Sequence, residues 1–294
     1  MPVQVTKEQL NFIKSQEPRI FLNAPAGCGK TFTLYQKLRE FIHRNPNKRV
    51  LVLVFNVHMK YELEKRFKGL ANLQIYTIHG FLYQLLLEDR PNEQVILVDE
   101  SVYPKLKSPP KNTTVLTYPM LEEHIRSNFE KYKRYIEEYQ LIVVDEFQDV
   151  NPNMLKIFEL ILRDLNPNFW AAGDLMQSIY SFQGVNIHKI TQFLKDNNFI
   201  EYKLTVNFRS SSNIIELINA IFDLQLQSVS DTQGINLAIQ YPNKKLFLNK
   251  IAYLVKHLLI ETNNNFIPKT LVDKTLSEFI TNSSELVFLV RNKK

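Results

Sequence analysis

The strongest constraint on the fold is the alternation of two patterns along the chain. Short, mostly apolar runs take turns with longer segments whose apolar residues recur at helical spacing. Strands are expected at Arg19 to Asn23, Arg49 to Phe55, Leu73 to Tyr76 and Leu141 to Val144. Helices are expected from Lys30, from Val57 to Phe67, from Ile78 to Leu87 and from Met154 to Leu165. A strand that is apolar on both faces needs cover on both, and intervening helices supply it, so the pattern reads as an α/β fold built on a parallel sheet. The rhythm breaks between Glu88 and Tyr139, where Pro91, Pro104, Pro109 and Pro110 punctuate a polar stretch and a charged helical run follows from Met120 to Glu138. This reads as a small insertion at about 88–139. A further strand and helix series begins near Leu204, with Ser210 as a helix start, so two domains are expected, 1–203 and 204–294.

Composition narrows the class of protein. With 294 residues, 45% of them apolar, the chain can bury a sizeable core. Its net charge of +6 is a mild lean towards polyanionic partners. Cys28 is the one cysteine, which excludes an internal disulfide framework and a zinc cage, and the six histidines show no ligand spacing. The first residues carry no apolar run suited to a signal peptide. No stretch reaches the roughly 18 apolar residues of a membrane span, so a soluble, intracellular protein of the cytoplasm or nucleus is expected, with no membrane partner.

The segment Ala24-Pro25-Ala26-Gly27-Cys28-Gly29-Lys30-Thr31 follows an expected strand and opens an expected helix, the setting of a phosphate-binding loop. Gly27 and Gly29 let the backbone turn its N–H groups inward around phosphates. Lys30 reaches the terminal phosphates and the Thr31 hydroxyl can ligate Mg²⁺, which implies ATP and Mg²⁺ as cofactors. Cys28 contributes only its backbone and is expected to have no redox duty. A second acidic signal comes from Leu141 to Asp149, an apolar strand that delivers carboxylates at its carboxyl end. There Asp145 would hold Mg²⁺ and Glu146 would orient or deprotonate the attacking water.

The string Asp145-Glu146-Phe147-Gln148-Asp149, with Gly173 to Tyr180 and Asn207-Phe208-Arg209-Ser210, resembles the UvrD/Rep family of superfamily 1 helicases. The resemblance starts at Gln9 and runs in order to Leu289-Val290-Arg291-Asn292, leaving the insertion unmatched. It implies a RecA-like sheet followed by an incomplete second RecA-like domain, and an ATP-dependent helicase or translocase moving 3′ to 5′ on single-stranded DNA or on DNA with a 3′ tail. It also implies a role in DNA repair. By this resemblance Gln9 reads the adenine edge, although Thr6-Lys7-Glu8-Gln9 is equally a capping box. Phe208 stacks on the adenine, Gln177 senses the γ-phosphate, and Arg209 is an arginine finger arriving from the second domain. Phe55, Thr77, His79 and Phe182 are the implied DNA contacts, because a motor grips any sequence by stacking bases and touching the backbone.

Departures from the family pattern fall on the DNA track, where Phe55-Asn56-Val57-His58-Met59-Lys60 and Gln183-Gly184-Val185 replace the usual residues and Phe182 stands where Trp is common. The later family motifs do not appear before Lys294, which implies a fragment or a reduced member. The alternative function is an ATP-gated DNA-binding regulatory protein that works with a partner such as a nuclease and does not unwind alone.

Overall fold

The computed structural model describes residues 5–70, 72–103, 113–177 and 187–230. It divides into two compact units, the first running to Arg209 and taking in Gln225–Gln227, the second holding the rest. The sequence pattern sets the boundary at 203/204, a few residues earlier.

The first unit opens with α1 (Lys7–Lys14), β1 (Arg19–Asn23), α2 (Lys30–Arg44), β2 (Arg49–Val54), α3 (Val57–Arg66), β3 (Leu73–Thr77) and α4 (Ile78–Asp89). It continues with β4 (Gln94–Val98), β5 (Thr113–Thr117), α5 (Tyr118–Ser127), α6 (Phe129–Ile136), β6 (Tyr139–Val144) and α7 (Pro152–Asp164). The last elements are β7 (Asn168–Gly173), α8 (Ile187–Asp196), β8 (Ile200–Lys203) and β9 (Val206–Ser211), whose final two residues lie past the unit's end. Six strands form one parallel sheet in the order β3-β2-β6-β7-β1-β8. The α/β fold with a parallel sheet is therefore as the alternating pattern requires. The central strands are the driest, since Val50 to Val54 and Leu141 to Val144 are all buried, as strands covered on both faces must be.

The expected insertion is partly a satellite and partly core. β4 and β5 pair in a separate two-stranded parallel sheet, from Gln94 opposite Thr113 to Val98 opposite Thr117. The charged run that reads as one helix is two, because Asn128 leaves helical geometry and its Nδ2 donates to His124 O at 2.9 Å. Those two helices bury Leu121, Ile125, Phe129, Tyr132 and Ile136 in the main hydrophobic core, packed with α4 and α7. In the second unit α9 spans Ser212–Phe222, with Ser211 at the N-cap position, so the helix begins two residues beyond the expected start at Ser210.

Because the sheet is parallel, the carboxyl ends of β1, β2, β3, β6 and β7 open on one edge. The strand ends, loops and helix starts at that edge hold every predicted site residue within the described part of the first unit except Gln9, Phe208 and Arg209, which α1 and β9 supply.

Candidate nucleotide site

The loop after β1 is shaped by its backbone. Ala24 N donates to Gly173 O at 3.0 Å, extending the β1–β7 pairing into the loop, and Cys28 N donates to Pro25 O at 3.1 Å to close the turn. Gly27 and Gly29 have φ of +83° and +78°, a left-handed conformation that L side chains adopt only with strain. Space excludes a side chain too. A Cβ on Gly27 would stand 2.7 Å from Asn207 Nδ2, and one on Gly29 would stand 2.8 Å from Gln9 Nε2. Lys30 then opens α2, so the loop presents its amides and the positive end of a 15-residue helix to one cleft of about 430 Å³. Lys30, Thr31, Glu146, Asp174, Phe208 and Arg209 line it with the loop.

The acidic end of β6 faces that loop. Asp145 is fully buried, and its N donates to Leu53 O at 3.0 Å, so the sheet itself fixes its backbone. Tyr35 O–H of α2 donates to Asp145 Oδ2 at 3.0 Å and Glu146 N to Asp145 Oδ1 at 2.9 Å. Glu146 sits at φ +55°, an uncommon conformation for a residue with a side chain, which aims its carboxylate back at the loop. There Lys30 Nζ donates to Glu146 Oε2 and lies 3.8 Å from Asp145 Oδ1. Gln148 Nε2 donates to the same Glu146 oxygen at 2.7 Å, while its Oε1 accepts from Asp174 N at 3.0 Å. Asp174 closes the ring by accepting from Ala26 N at 3.1 Å and from Met176 N at 3.0 Å. A single network thus joins the phosphate-type loop, the ends of β6 and β7, and Lys30.

Burial sets the electrostatics. It pushes the Asp145 carboxyl above the usual range even though the Lys30 ammonium opposes the shift. Burial and the Glu146 charge raise Asp149 to about 6, and burial also raises Asp174. The Cys28 thiol is 1% exposed and is pushed up to about 11 by burial and by the Asp174 and Glu8 carboxylates, so it stays a neutral thiol near neutral pH. That state gives it no nucleophile to offer.

The segment at 207–209 is stitched to the loop. Asn207 Nδ2 donates to Ala26 O at 2.7 Å, Phe208 N to Gly27 O at 2.9 Å, and Arg209 N to Asn207 Oδ1 at 2.9 Å. Glu8 of α1 accepts from Thr205 N at 2.7 Å and from Thr205 Oγ1 at 2.6 Å, which anchors the approach to that segment. Phe208 is 47% exposed, its ring beside Gly29. The family resemblance brings Arg209 in from a second domain, whereas here it belongs to the first compact unit. Gln9 forms the capping box, its Oε1 accepting from Thr6 N at 3.0 Å and its N donating to Thr6 Oγ1 at 3.2 Å. Its amide nitrogen meanwhile faces Gly29, so capping and a position beside the phosphate-type loop coexist. Asn207, Gln148, Tyr35 and Asp174 take part without having been singled out for these roles, because each acts through a tertiary hydrogen bond.

Among the candidates for nucleic-acid contact, Phe55 is half-buried between β2 and α3. Thr77 caps α4 by accepting from Gly80 N at 3.0 Å, and His79 is half-buried in the first turn of that helix. Gln177 ends a short turn of helix, but its side chain, like all of Phe182, lies outside the described residues.

A glycine-bent loop entering a helix, facing strand-end carboxylates across a parallel sheet, defines a nucleoside triphosphate-binding protein of the phosphate-loop class. The model of the AAA domain family AAA_19 matches residues 8–183. One subunit of the ATP-dependent helicase/nuclease of Clostridium botulinum is 34% identical over 129 aligned residues, covering 40% of this chain and 10% of that subunit. DNA helicase II of Haemophilus influenzae is 37% identical over 105 residues, covering 36% of this chain and 14% of the relative. The RecB component of the RecBCD enzyme of the same organism is 35% identical over 171 residues, covering 55% and 13% respectively. The chain belongs to the AAA_19 family and, with these relatives, to the UvrD/Rep type of superfamily 1. The matched part makes up only 10–14% of these three relatives. Among solved structures, the Pif1 helicase of Candida albicans aligns with a TM-score of 0.42 at 15% identity, over 74% of this chain and 44% of that one.

Proposed function

We propose that this chain binds Mg²⁺-ATP in the cleft between the loop after β1 and the end of β6, and couples its hydrolysis to movement on single-stranded DNA. The observation that carries the reading is the network that sets Lys30 and Glu146 on one 430 Å³ cleft with Arg209 on its wall, and the buried Asp145 Oδ1 3.8 Å from Lys30 Nζ. Phosphoryl transfer needs little covalent chemistry from a protein and much positioned charge, which this arrangement supplies. Lys30 stands where it can neutralise the terminal phosphates. Thr31 and Asp145 suit Mg²⁺, which takes one or two protein oxygens and fills its remaining positions with water and phosphate; bound there, the ion would neutralise phosphate charge.

Glu146 is the residue to orient or deprotonate the attacking water, held by Gln148 and Lys30. Gln9 and Phe208 flank Gly29 and serve the adenine, and Arg209 serves as the charge-stabilising finger. Gln177 reports the γ-phosphate, and Phe55, Thr77, His79 and Phe182 form the DNA track. Polarity from 3′ to 5′, a 3′-tailed substrate, work in DNA repair and a nuclease-bearing partner extend the same reading by likeness to the relatives. Among the described residues no helix is long and apolar enough to cross a membrane.

The test measures ATP turnover with Mg²⁺ and the affinity of the chain for a short oligothymidylate over a range of salt. The expected result is Mg²⁺-dependent turnover, and binding that weakens steadily as salt rises because phosphates release their counterions. A chain that neither turns over ATP nor binds the oligonucleotide at low salt contradicts the reading.

A further inference from the structure

We infer that Tyr118 and His79 form a base-stacking platform for single-stranded DNA, and that the carboxylate of Glu122 positions it. The inference rests on the DNA reading above and adds two residues to it. Tyr118 opens α5, directly after β5, and His79 lies in the first turn of α4, directly after β3. Their rings stand 4.7 Å apart between centroids at 56°, so the two helix starts meet ring to ring. Tyr118 nevertheless leaves 45% of its surface in water. A scattered exposed tyrosine needs no explanation. This one is held by a partner ring and still offers surface, the condition under which a flat π-face receives a nucleobase at small entropic cost. His79 leaves the main sheet at the edge that carries the nucleotide cleft, so nucleic acid on the platform and nucleotide in the cleft would share one side of the molecule.

Glu122 explains why the pair is fixed. It is 2% exposed, and a buried carboxylate needs hydrogen-bond donors. His79 Nε2 donates to Glu122 Oε1 at 2.9 Å and Asn151 Nδ2 donates to the same oxygen at 2.8 Å. Asn151 is no bystander, because it follows the carboxylate segment 145–149 by two residues and caps α7, its Oδ1 accepting from Asn153 N and Met154 N at 3.0 Å. One carboxylate oxygen therefore joins the ring pair to the segment that leaves the nucleotide site. Glu122 is a positioning residue, since it reaches the base only through His79.

The experiment titrates the full chain into an oligothymidylate that carries one 2-aminopurine, reading both affinity and the quenching that stacking causes. Tyr118→Ala is expected to lose quenching and to weaken binding by about 5- to 150-fold, the stacking of one base. Tyr118→Phe, which keeps the ring, should bind and quench as the parent does. Glu122→Ala should lose quenching with weaker binding, and Glu122→Gln, which keeps an acceptor oxygen, should restore both. Thermal melting checks that each variant is folded, and if Glu122→Ala is not, the exposed Tyr118 still decides. Should Tyr118→Ala bind and quench like a parent whose binding falls with salt, the DNA reading stands and the platform is wrong. Should Glu122→Gln fail where Glu122→Ala fails while melting normally, the positioning role is wrong. A parent that does not bind the oligonucleotide at low salt removes the DNA reading and the platform with it.

Discussion

Helix α2 carries two lysines seven residues apart that the fold withdraws from water for opposite purposes. Lys30, at its first turn, points at carboxylates, with Glu146 in contact and Asp145 Oδ1 at 3.8 Å. Lys37, 3% exposed, points at neutral partners. Its Nζ donates to Ser15 O at 2.5 Å, Ser15 Oγ at 2.8 Å and Ile13 O at 3.3 Å, and lies 4.7 Å from the Trp170 ring centre and 5.5 Å from that of Phe12. Without a contacting carboxylate, burial lowers the Lys37 ammonium to about 8. Burial of a charge is thus common to both and diagnostic of neither. What separates a binding group from a structural clamp is the nature of the partners: a lysine facing carboxylates at a cleft can exchange them for phosphate, whereas one threaded among backbone carbonyls and rings ties α2 to the end of α1.

The sharpest way to break this comparison is to remove each lysine in turn. Lys30→Ala is expected to abolish ATP turnover while the chain keeps its native circular dichroism, and parental turnover in that variant would show that Lys30 is another clamp. Lys37→Ala should do the reverse, losing on the order of 3 kcal/mol of stability in urea unfolding through lost packing and unpaired carbonyls while turnover per folded molecule is kept.

A smaller effect separates the acidic side of the site from a simple surface turn. Asp149 has its folded pKa raised to about 6 from the ordinary 3.8, so the folded state holds that proton more tightly than the unfolded chain does. Its contribution favours folding fully below about 4 and is lost as pH rises through about 6. In the nucleotide-free protein Asp149→Asn should therefore gain stability relative to the parent as pH rises from 4 to 6. A difference between the two that does not change over that window would place Asp149 in water. The smallest effect concerns Cys28. Iodoacetamide at pH 8 should label it slowly in the folded chain and readily in denaturant, because burial holds its thiol near 11.

How far the sequence reveals this site depends on whether a residue acts locally. β1 and the start of α2 appear where the apolar run and the glycine-lysine turn place them, because backbone conformation and helix start are local properties. The capping box at Thr6 to Gln9 forms for the same reason, and the second use of Gln9, beside Gly29, becomes visible only in the folded chain. β7 and β8 escape notice because Ala171, Ala172 and Gly173 carry little strand signal and β8 is a short, largely exposed edge strand. Asn207 clamps Ala26 across 181 residues, and Gln148 bridges Glu146 to Asp174. No spacing rule encodes either contact. The break at Asn128 is likewise hidden, since an asparagine within a charged helical run signals a stop only when its side chain turns back on the helix.

The central claim is that Glu146 acts on the water while Lys30, Thr31 and Asp145 hold the nucleotide and its metal. Equilibrium binding of ATP with Mg²⁺ and steady-state turnover, measured on the same preparations of the parent and Glu146→Gln, test it most directly. The variant should bind ATP at least as tightly as the parent and lose about two to four orders of magnitude in turnover, the usual worth of a positioned general base. Turnover at the parental rate would contradict the claim and move the catalytic group away from the end of β6.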